Sequence, residues 1–242
     1  MGLKLMCVTA HPDDECFGFG GALALAANRG IETYVVCLTD GQAASNRGDA
    51  ASGEALGEMR RDEFRRSCEV LGVGQCELLD HHDGRLEAVE IPVAAGRLVE
   101  RMRRFRPDVV ITFGGDGGQN IHSDHMMASM LTTAAFHWAG QAKRYPGAGE
   151  IHQARRLYYL TANSRLPGRP PAMTMPWTVE LDIRSVQQRK SEAFRQHVSQ
   201  APLMEQTKEY FAKYGAVEFY ALVAAPEPQP ARVGTDLFEG LS

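Results

Sequence analysis

At 242 residues the chain is long enough for one large or two small domains with a sizeable core. Its 44% hydrophobic and 23% charged residues are ordinary for a globular protein, and a net charge of −4 argues against a nucleic-acid partner. No run approaches the ~20 apolar residues of a membrane span, no signal-peptide pattern precedes the first apolar segment, and five cysteines without CxxC spacing fit reduced thiols, so a cytoplasmic location is expected.

In chain order, Leu3 to Thr9 is an apolar, strand-like run that ends in Ala10-His11-Pro12-Asp13-Asp14-Glu15. Pro-Asp-Asp-Glu alone could be the acidic first turn of the next helix, but that leaves His11 unexplained. Gly18 to Arg29 is Ala/Leu-rich and stops at Gly30, which predicts a helix, and Glu32 to Leu38 is a buried second strand. Thr39 to Gly57 turns small and polar, which predicts a long loop whose Gly41 to Gly57 stretch closes over a substrate. Residues 57–71 carry Met59, Phe64, Cys68 and Leu71 near helical spacing, and Cys76 to Leu79 forms a short third strand. Leu98 to Phe105 is a basic amphipathic helix whose Arg101, Arg103 and Arg104, with Arg106, read as a solvated face.

Val109 to Phe113 is the fourth strand, opening into Gly114-Gly115-Asp116-Gly117-Gly118-Gln119-Asn120-Ile121-His122-Ser123-Asp124-His125 before a helix of Met126 to Trp138. Arg156 to Thr161 reads as strand, Asn163 to Pro176 as a Pro/Gly/Met-rich excursion, Thr178 to Ile183 as strand, Ser185 to Gln200 as a basic helix and Val217 to Val223 as a final strand. Residues 1–225 thus form one domain, with 226–242 a Pro-rich tail or strap.

Alternating strand and helix imply an α/β fold, a Rossmann-like, doubly wound and mostly parallel sheet with helices on both faces. Such sheets bind ligands beyond the carboxyl ends of their strands, where strand order reverses. The loops after the first four strands carry His11, Asp13 and Asp14; Asp40; Asp83; and Asp116, His122 and His125. If the first and fourth strands are neighbours, His11 and His125 meet and Asp14 completes three metal ligands, leaving a fourth position open as in catalytic zinc sites.

The motif from Ala10 to Glu15, followed by His122-Ser123-Asp124-His125, resembles the LmbE-like, or PIG-L, zinc-dependent de-N-acetylases. Thr39-Asp40-Gly41, Arg60 with Glu63, Pro107 to Val110, Lys190 through His197 to Gln200, and Gly215 to Phe219 fit the same pattern. The resemblance implies the LmbE-like fold, with zinc ligands His11, Asp14 and His125, a general base at Asp13, and His122 steadying the oxyanion. It also implies that Asp124 orients His122 and that Arg60 reaches the substrate; Asp40 and Asp83, from the neighbouring loops, join Arg60 as candidate substrate-binding residues. Ser123 stands where the family usually has proline, and Ile121 where glycine is more usual.

The implied reaction is hydrolysis of an N-acyl group from a small acylated amino sugar or amine, with zinc or ferrous iron as the metal and no nucleic-acid partner; a homo-oligomer is compatible with the sequence. Rival readings are a non-haem iron enzyme with the same ligand count and an inactive metal- or sugar-binding protein on the same scaffold. Gly18-Phe19-Gly20-Gly21 is half of a dinucleotide fingerprint, but carboxylates occupy the turn where a pyrophosphate would sit. His82 and His197 carry no assigned role.

Overall fold

The computed structural model describes residues 2–118, 120–166, 168, 173–227 and 232–242. One sheet of seven strands runs in the order β3-β2-β1-β4-β5-β7-β6. Its strands are β1 (Lys4–Thr9), β2 (Glu32–Thr39), β3 (Gln75–His81), β4 (Val109–Phe113), β5 (Arg156–Thr161), β6 (Val179–Asp182) and β7 (Val217–Ala224). Leu5 to Val8 in β1 and Val109 to Ile111 in β4 have no exposed surface, as expected of continuous apolar runs in strands covered on both faces. The edge strand β6 instead alternates, burying Val179 and Leu181 and exposing Glu180 and Asp182.

Strands β1 to β5 pair in parallel. β7 runs antiparallel between β5 and β6, so the sheet is mixed at that end. β1 and β4 are neighbours, with Leu5, Met6 and Cys7 opposite Val109, Val110 and Ile111, and here the strand order reverses. The loops that follow both strands therefore open into one crevice.

The helices are α1 (Asp14–Phe17), α2 (Gly20–Asn28), α3 (Gly53–Leu71), α4 (Ile91–Phe105), α5 (Ser123–Ala139), α6 (Gln187–Arg195) and α7 (Ala201–Tyr214). α2 and α3 pack on α6, and α4 packs on α5. Several bounds depart from the sequence reading. The acidic motif enters the short α1, and a break at 18–19 separates it from α2. Ser52 Oγ accepts the Ala55 N–H at 3.1 Å, so α3 begins before Gly57 and the loop shortens to 40–52. α4 begins at Ile91 with Pro92 in its first turn, and α6 ends at Arg195, before a 3₁₀ turn over Val198–Gln200. α7 had no counterpart in the sequence reading.

Arg103 is not on a solvated face. It is 3% exposed and donates from Nε to the Ala139 carbonyl at 3.0 Å, from Nη1 to Tyr145 at 2.7 Å, and from Nη2 to Gln141 and Arg144 at 2.9 Å each. A guanidinium with five donors thereby caps the carboxyl end of α5 and holds the loop after it.

Parts of two sequence-read segments, 167 and 169–172 in the excursion and 228–231 in the tail, lie outside the described residues. Within the rest of the tail, Gly234 bridges to Val179, Leu237 and Phe238 are buried, and Arg156 donates to the Leu237 and Glu239 carbonyls at 3.0 and 2.6 Å.

Candidate active site

The loops after β1 and β4 bring three donor groups together. His11 Nδ1 lies 3.2 Å from His125 Nε2, which lies 3.2 Å from Asp14 Oδ1, and Asp14 Oδ2 is 3.6 Å from His11 Nδ1. Hydrogen-bond partners assign the tautomers. His125 Nδ1–H donates to the Gly117 carbonyl at 3.0 Å, and His11 Nε2–H donates to Asp83 at 3.0 Å and Asp124 at 3.2 Å. What remains is two imidazole lone pairs and a carboxylate facing one another without a proton to share. Such a set calls for a cation, and carboxylates and carbonyls behind metal-binding histidines serve to orient them. The residues fit a divalent metal with two nitrogen ligands and one oxygen ligand.

Without metal, that call is answered by a proton. Burial works to lower the His11 pKa, but the carboxylates of Asp124, Asp14 and Asp83 hold it well above the ordinary histidine value. Burial works to raise the Asp14 pKa, and His125 with His11 holds it well below the ordinary range. Asp14 Oδ2 also accepts the backbone N–H groups of His11 at 2.7 Å and Ala10 at 3.1 Å, which fixes its rotamer.

Asp13 points elsewhere. Its φ of 109°, outside the usual range for a residue with a side chain, separates two consecutive carboxylates: Asp14 turns to the imidazoles and Asp13 to Arg60. Arg60 Nη2 donates to Asp13 Oδ2 at 3.0 Å and also to the Pro12 carbonyl, and Nη1 donates to the Gly41 carbonyl at 3.0 Å. Burial pushes the Asp13 carboxyl up to about 6 against the lowering effect of Arg60. Arg60 is 2% exposed and holds Asp13 through Nη2, and it also lines the cavity, where the resemblance implies a substrate contact. Gly41 makes this fit: at φ 68°, a Cβ there would stand 2.1 Å from Arg60 Nη1.

His122 lies beside this cluster, its ring centroid 4.8 Å from that of His11. Its Nδ1 accepts the Asp124 backbone N–H at 3.2 Å, capping α5 and leaving the proton on Nε2. Burial, then His11 and His125, lowers its pKa, which favours the neutral ring. The Asp124 carboxylate does not orient His122. It turns away to accept the Gly84 N–H at 2.7 Å, the Leu86 N–H at 3.1 Å and His11 Nε2, so it orients His11. Ile121, at φ 52°, occupies the left-handed region, which gives a physical reason for glycine at that place.

Of the other expected substrate-binding residues, Asp83 lines the cavity while also bonding His11 and, at 3.0 Å, the Ala43 N–H. Asp40 does not line it: its carboxylate lies against Gly57, where there is no side chain, and accepts Arg61 Nη2 at 2.7 Å. His82 turns its Nδ1 to the Asp83 carbonyl at 2.7 Å and stays outside.

The cavity measures about 530 Å³, within the range of small-molecule sites. His11, Asp13, Asp14, His122 and His125 form one part of its wall; Leu203, Tyr210, Phe211 and Tyr214 of α7, with Phe17, form another. The sequence reading missed this apolar wall. The spacing of Leu203, Thr207, Tyr210, Phe211 and Tyr214 marks one helix face, after Pro202 in the first turn, and would have revealed it. Ala43, Ala44 and Ser45 from the 40–52 loop complete the near rim.

The PIG-L family profile, described as GlcNAc-PI de-N-acetylase, matches residues 6–136, more than half of the chain. The chain belongs to the PIG-L family. This PIG-L chain is 35% identical to the mycothiol S-conjugate amidase of Streptomyces coelicolor over 65% of its own length and 60% of that relative's. It is 28% identical to a 1D-myo-inositol 2-acetamido-2-deoxy-alpha-D-glucopyranoside deacetylase of Rhodococcus jostii, with 98% of each covered. In fold it is similar to the N,N'-diacetylchitobiose deacetylase of Pyrococcus horikoshii, with a TM-score of 0.75 at 21% identity over 91% of this chain and 83% of that one. It is equally similar to GalB, a 4-carboxy-2-hydroxymuconate hydratase of Pseudomonas putida, with a TM-score of 0.75 at 22% identity over 94% and 99%.

PIG-L membership places the chain among metal-dependent enzymes that hydrolyse amides, and its His/Asp cluster suits that role. Because the same fold also carries a hydratase, the reaction has to be argued from the site. Among the described residues, no helix of this PIG-L chain is long and apolar enough to cross a membrane.

Proposed function

We propose that this protein removes an N-acetyl or other N-acyl group from an amino-sugar-type amide, with zinc held by His11, Asp14 and His125. The observation that carries the reading is the convergence of His11 Nδ1, His125 Nε2 and Asp14 Oδ1 next to a buried, unusually basic Asp13. Zinc, when held by these three residues, would supply Lewis acidity.

The chain's own residues do the rest. Asp13 takes a proton from the attacking water and returns it to the departing amine; a carboxyl near 6 is matched to both transfers close to neutral pH. Arg60 keeps that carboxylate aimed. His122 offers Nε2–H to the charge developing on the acyl oxygen, and removal of one such donor typically costs ~10²–10³ in rate. The apolar wall of α7 supports a substrate with more than one ring, the second lying against Tyr210 and Phe211.

The reading is tested by screening N-acylated amino sugars and amines with metal-stripped protein reloaded with zinc or, anaerobically, ferrous iron, measuring released primary amine. Release from an acylated amino sugar supports it; no release from any acylated amine with either metal overturns it.

A further inference from the structure

Behind Asp13 lies a buried polar cluster that the hydrolytic scheme leaves without a task. Glu15 has no exposed surface and uses both carboxylate oxygens. Oε2 accepts the backbone N–H of Asp13 at 2.9 Å, while Oε1 accepts the Ser67 hydroxyl at 2.5 Å and His197 Nε2–H at 2.7 Å. His197, 1% exposed, comes from the segment between α6 and the following 3₁₀ turn. Two residues on, Ser199 donates its N–H and hydroxyl to Glu63 of α3 at 2.8 and 2.7 Å, which fixes the segment that carries His197.

The peptide group between Pro12 and Asp13 is thus gripped from both edges. Its carbonyl oxygen accepts Arg60 Nη2, and its N–H donates to Glu15. Holding that plane sets the torsion about the Asp13 N–Cα bond, which is the one found at 109°. A backbone angle of this kind persists only when its surroundings over-determine it.

We propose that Glu15 and His197 are positioning residues for the hydrolysis: His197 orients Glu15, and Glu15 holds the Asp13 backbone so that the base faces the cavity while Asp14 faces the imidazoles. The proposal rests on the hydrolase reading for its kinetic expression. A core ion pair with a merely structural role would show itself in stability and metal content alone. A positioning pair shows itself in turnover, because a small misplacement of a reacting group costs up to ~10²-fold in rate while leaving substrate contacts in place.

The test uses full-length zinc-loaded protein and the variants His197→Ala, His197→Gln and Glu15→Gln, with kcat, KM and zinc per chain measured for each. His197→Ala is expected to lose kcat by roughly 10- to 100-fold, with KM and zinc content unchanged. His197→Gln, whose amide N–H reaches Glu15 as a donor, should recover most of the loss. In Glu15→Gln one of the donors at this carboxylate meets an amide N–H₂, so kcat should fall, and its crystal structure should show Asp13 relaxed from its left-handed φ. Unchanged kcat in His197→Ala, losses that follow zinc content, equal losses in His197→Ala and His197→Gln, or an unmoved Asp13 φ with full kcat in Glu15→Gln each overturn the proposal. If His197→Ala does not fold, the Glu15→Gln structure and kinetics decide alone. If wild-type protein releases no amine from any substrate, the hydrolase reading fails, and the Asp13 conformation in Glu15→Gln still decides whether Glu15 holds it.

Discussion

At the proposed metal site, metal and proton would compete for one nitrogen, His11 Nδ1. In the metal-free protein three carboxylates keep His11 protonated well above the ordinary histidine pKa, so a proton must leave when the cation arrives. Zinc binding to chelator-stripped protein is therefore expected to release protons and to weaken as pH falls; titration calorimetry in buffers of different ionisation enthalpy measures both. The same shift makes His11 a source of stability to the metal-free form. That contribution is complete below the unfolded histidine value and is lost as pH rises through the elevated one. In the proposed scheme the neighbouring aspartates divide the work. Ala at His11, Asp14 or His125 should abolish metal binding and turnover together, whereas Asp13→Ala should keep its zinc and lose about 10²–10⁴ in kcat. Because the base acts only when ionised, kcat should decline as pH drops through its pKa. A nearby cation favours the carboxylate, so this acidic limb should lie at or below about 6. The cluster at 11 to 15 stands out in the sequence because its chemistry is contiguous, but the alternation of elements united it with His125 only on the condition that β1 and β4 be neighbours, which the structure shows them to be. The protein contacts of Arg60, Asp124 and Asp40 could not be read, because they depend on which way a side chain turns once α3 and the 82–86 turn are packed.

At the scale of elements, β1, β2 and β4 matched the sequence closely, since strands buried on both faces are largely apolar, whereas the edge strand β3 is only partly buried. The far end was harder. β7 follows α7, and nothing in its composition distinguishes a strand that returns antiparallel from one that crosses over. α7 itself has an exposed polar majority, and its apolar face lines a cavity while only Leu203 and Met204 touch the core, so only Thr207 of its residues is buried. A wall of this kind contributes to binding more than to folding. Tyr210→Ala and Phe211→Ala are accordingly expected to raise KM for a two-ring amide several-fold, leaving zinc content intact; steady-state kinetics on one-ring and two-ring substrates would show the loss confined to the larger one. Equal effects on both sizes would remove α7 from substrate recognition.

Over the whole molecule, the last residues behave as part of the sheet's cover. Leu237 and Phe238 are 2% and 4% exposed and their chain is tied to Arg156 and Val179, so Phe238→Ala should cost about 3 kcal/mol in chemical denaturation. A chain cut after residue 225 should unfold at lower denaturant than the full one. The deepest dependence lies at the centre, where Leu5 pairs with Val109 across more than a hundred residues of intervening chain. A joint of such high contact order closes slowly. A ribosome delivering this chain from its N-terminus finishes β1, β2 and β3 well before β4, and until then β1 presents an unpaired apolar edge of the kind that seeds aggregation. The metal cannot shield that interval. His11 and His125 stand 114 positions apart, so a metal held as proposed would find no complete site until the joint has closed, and would then act as a clasp that penalises reopening of the finished sheet.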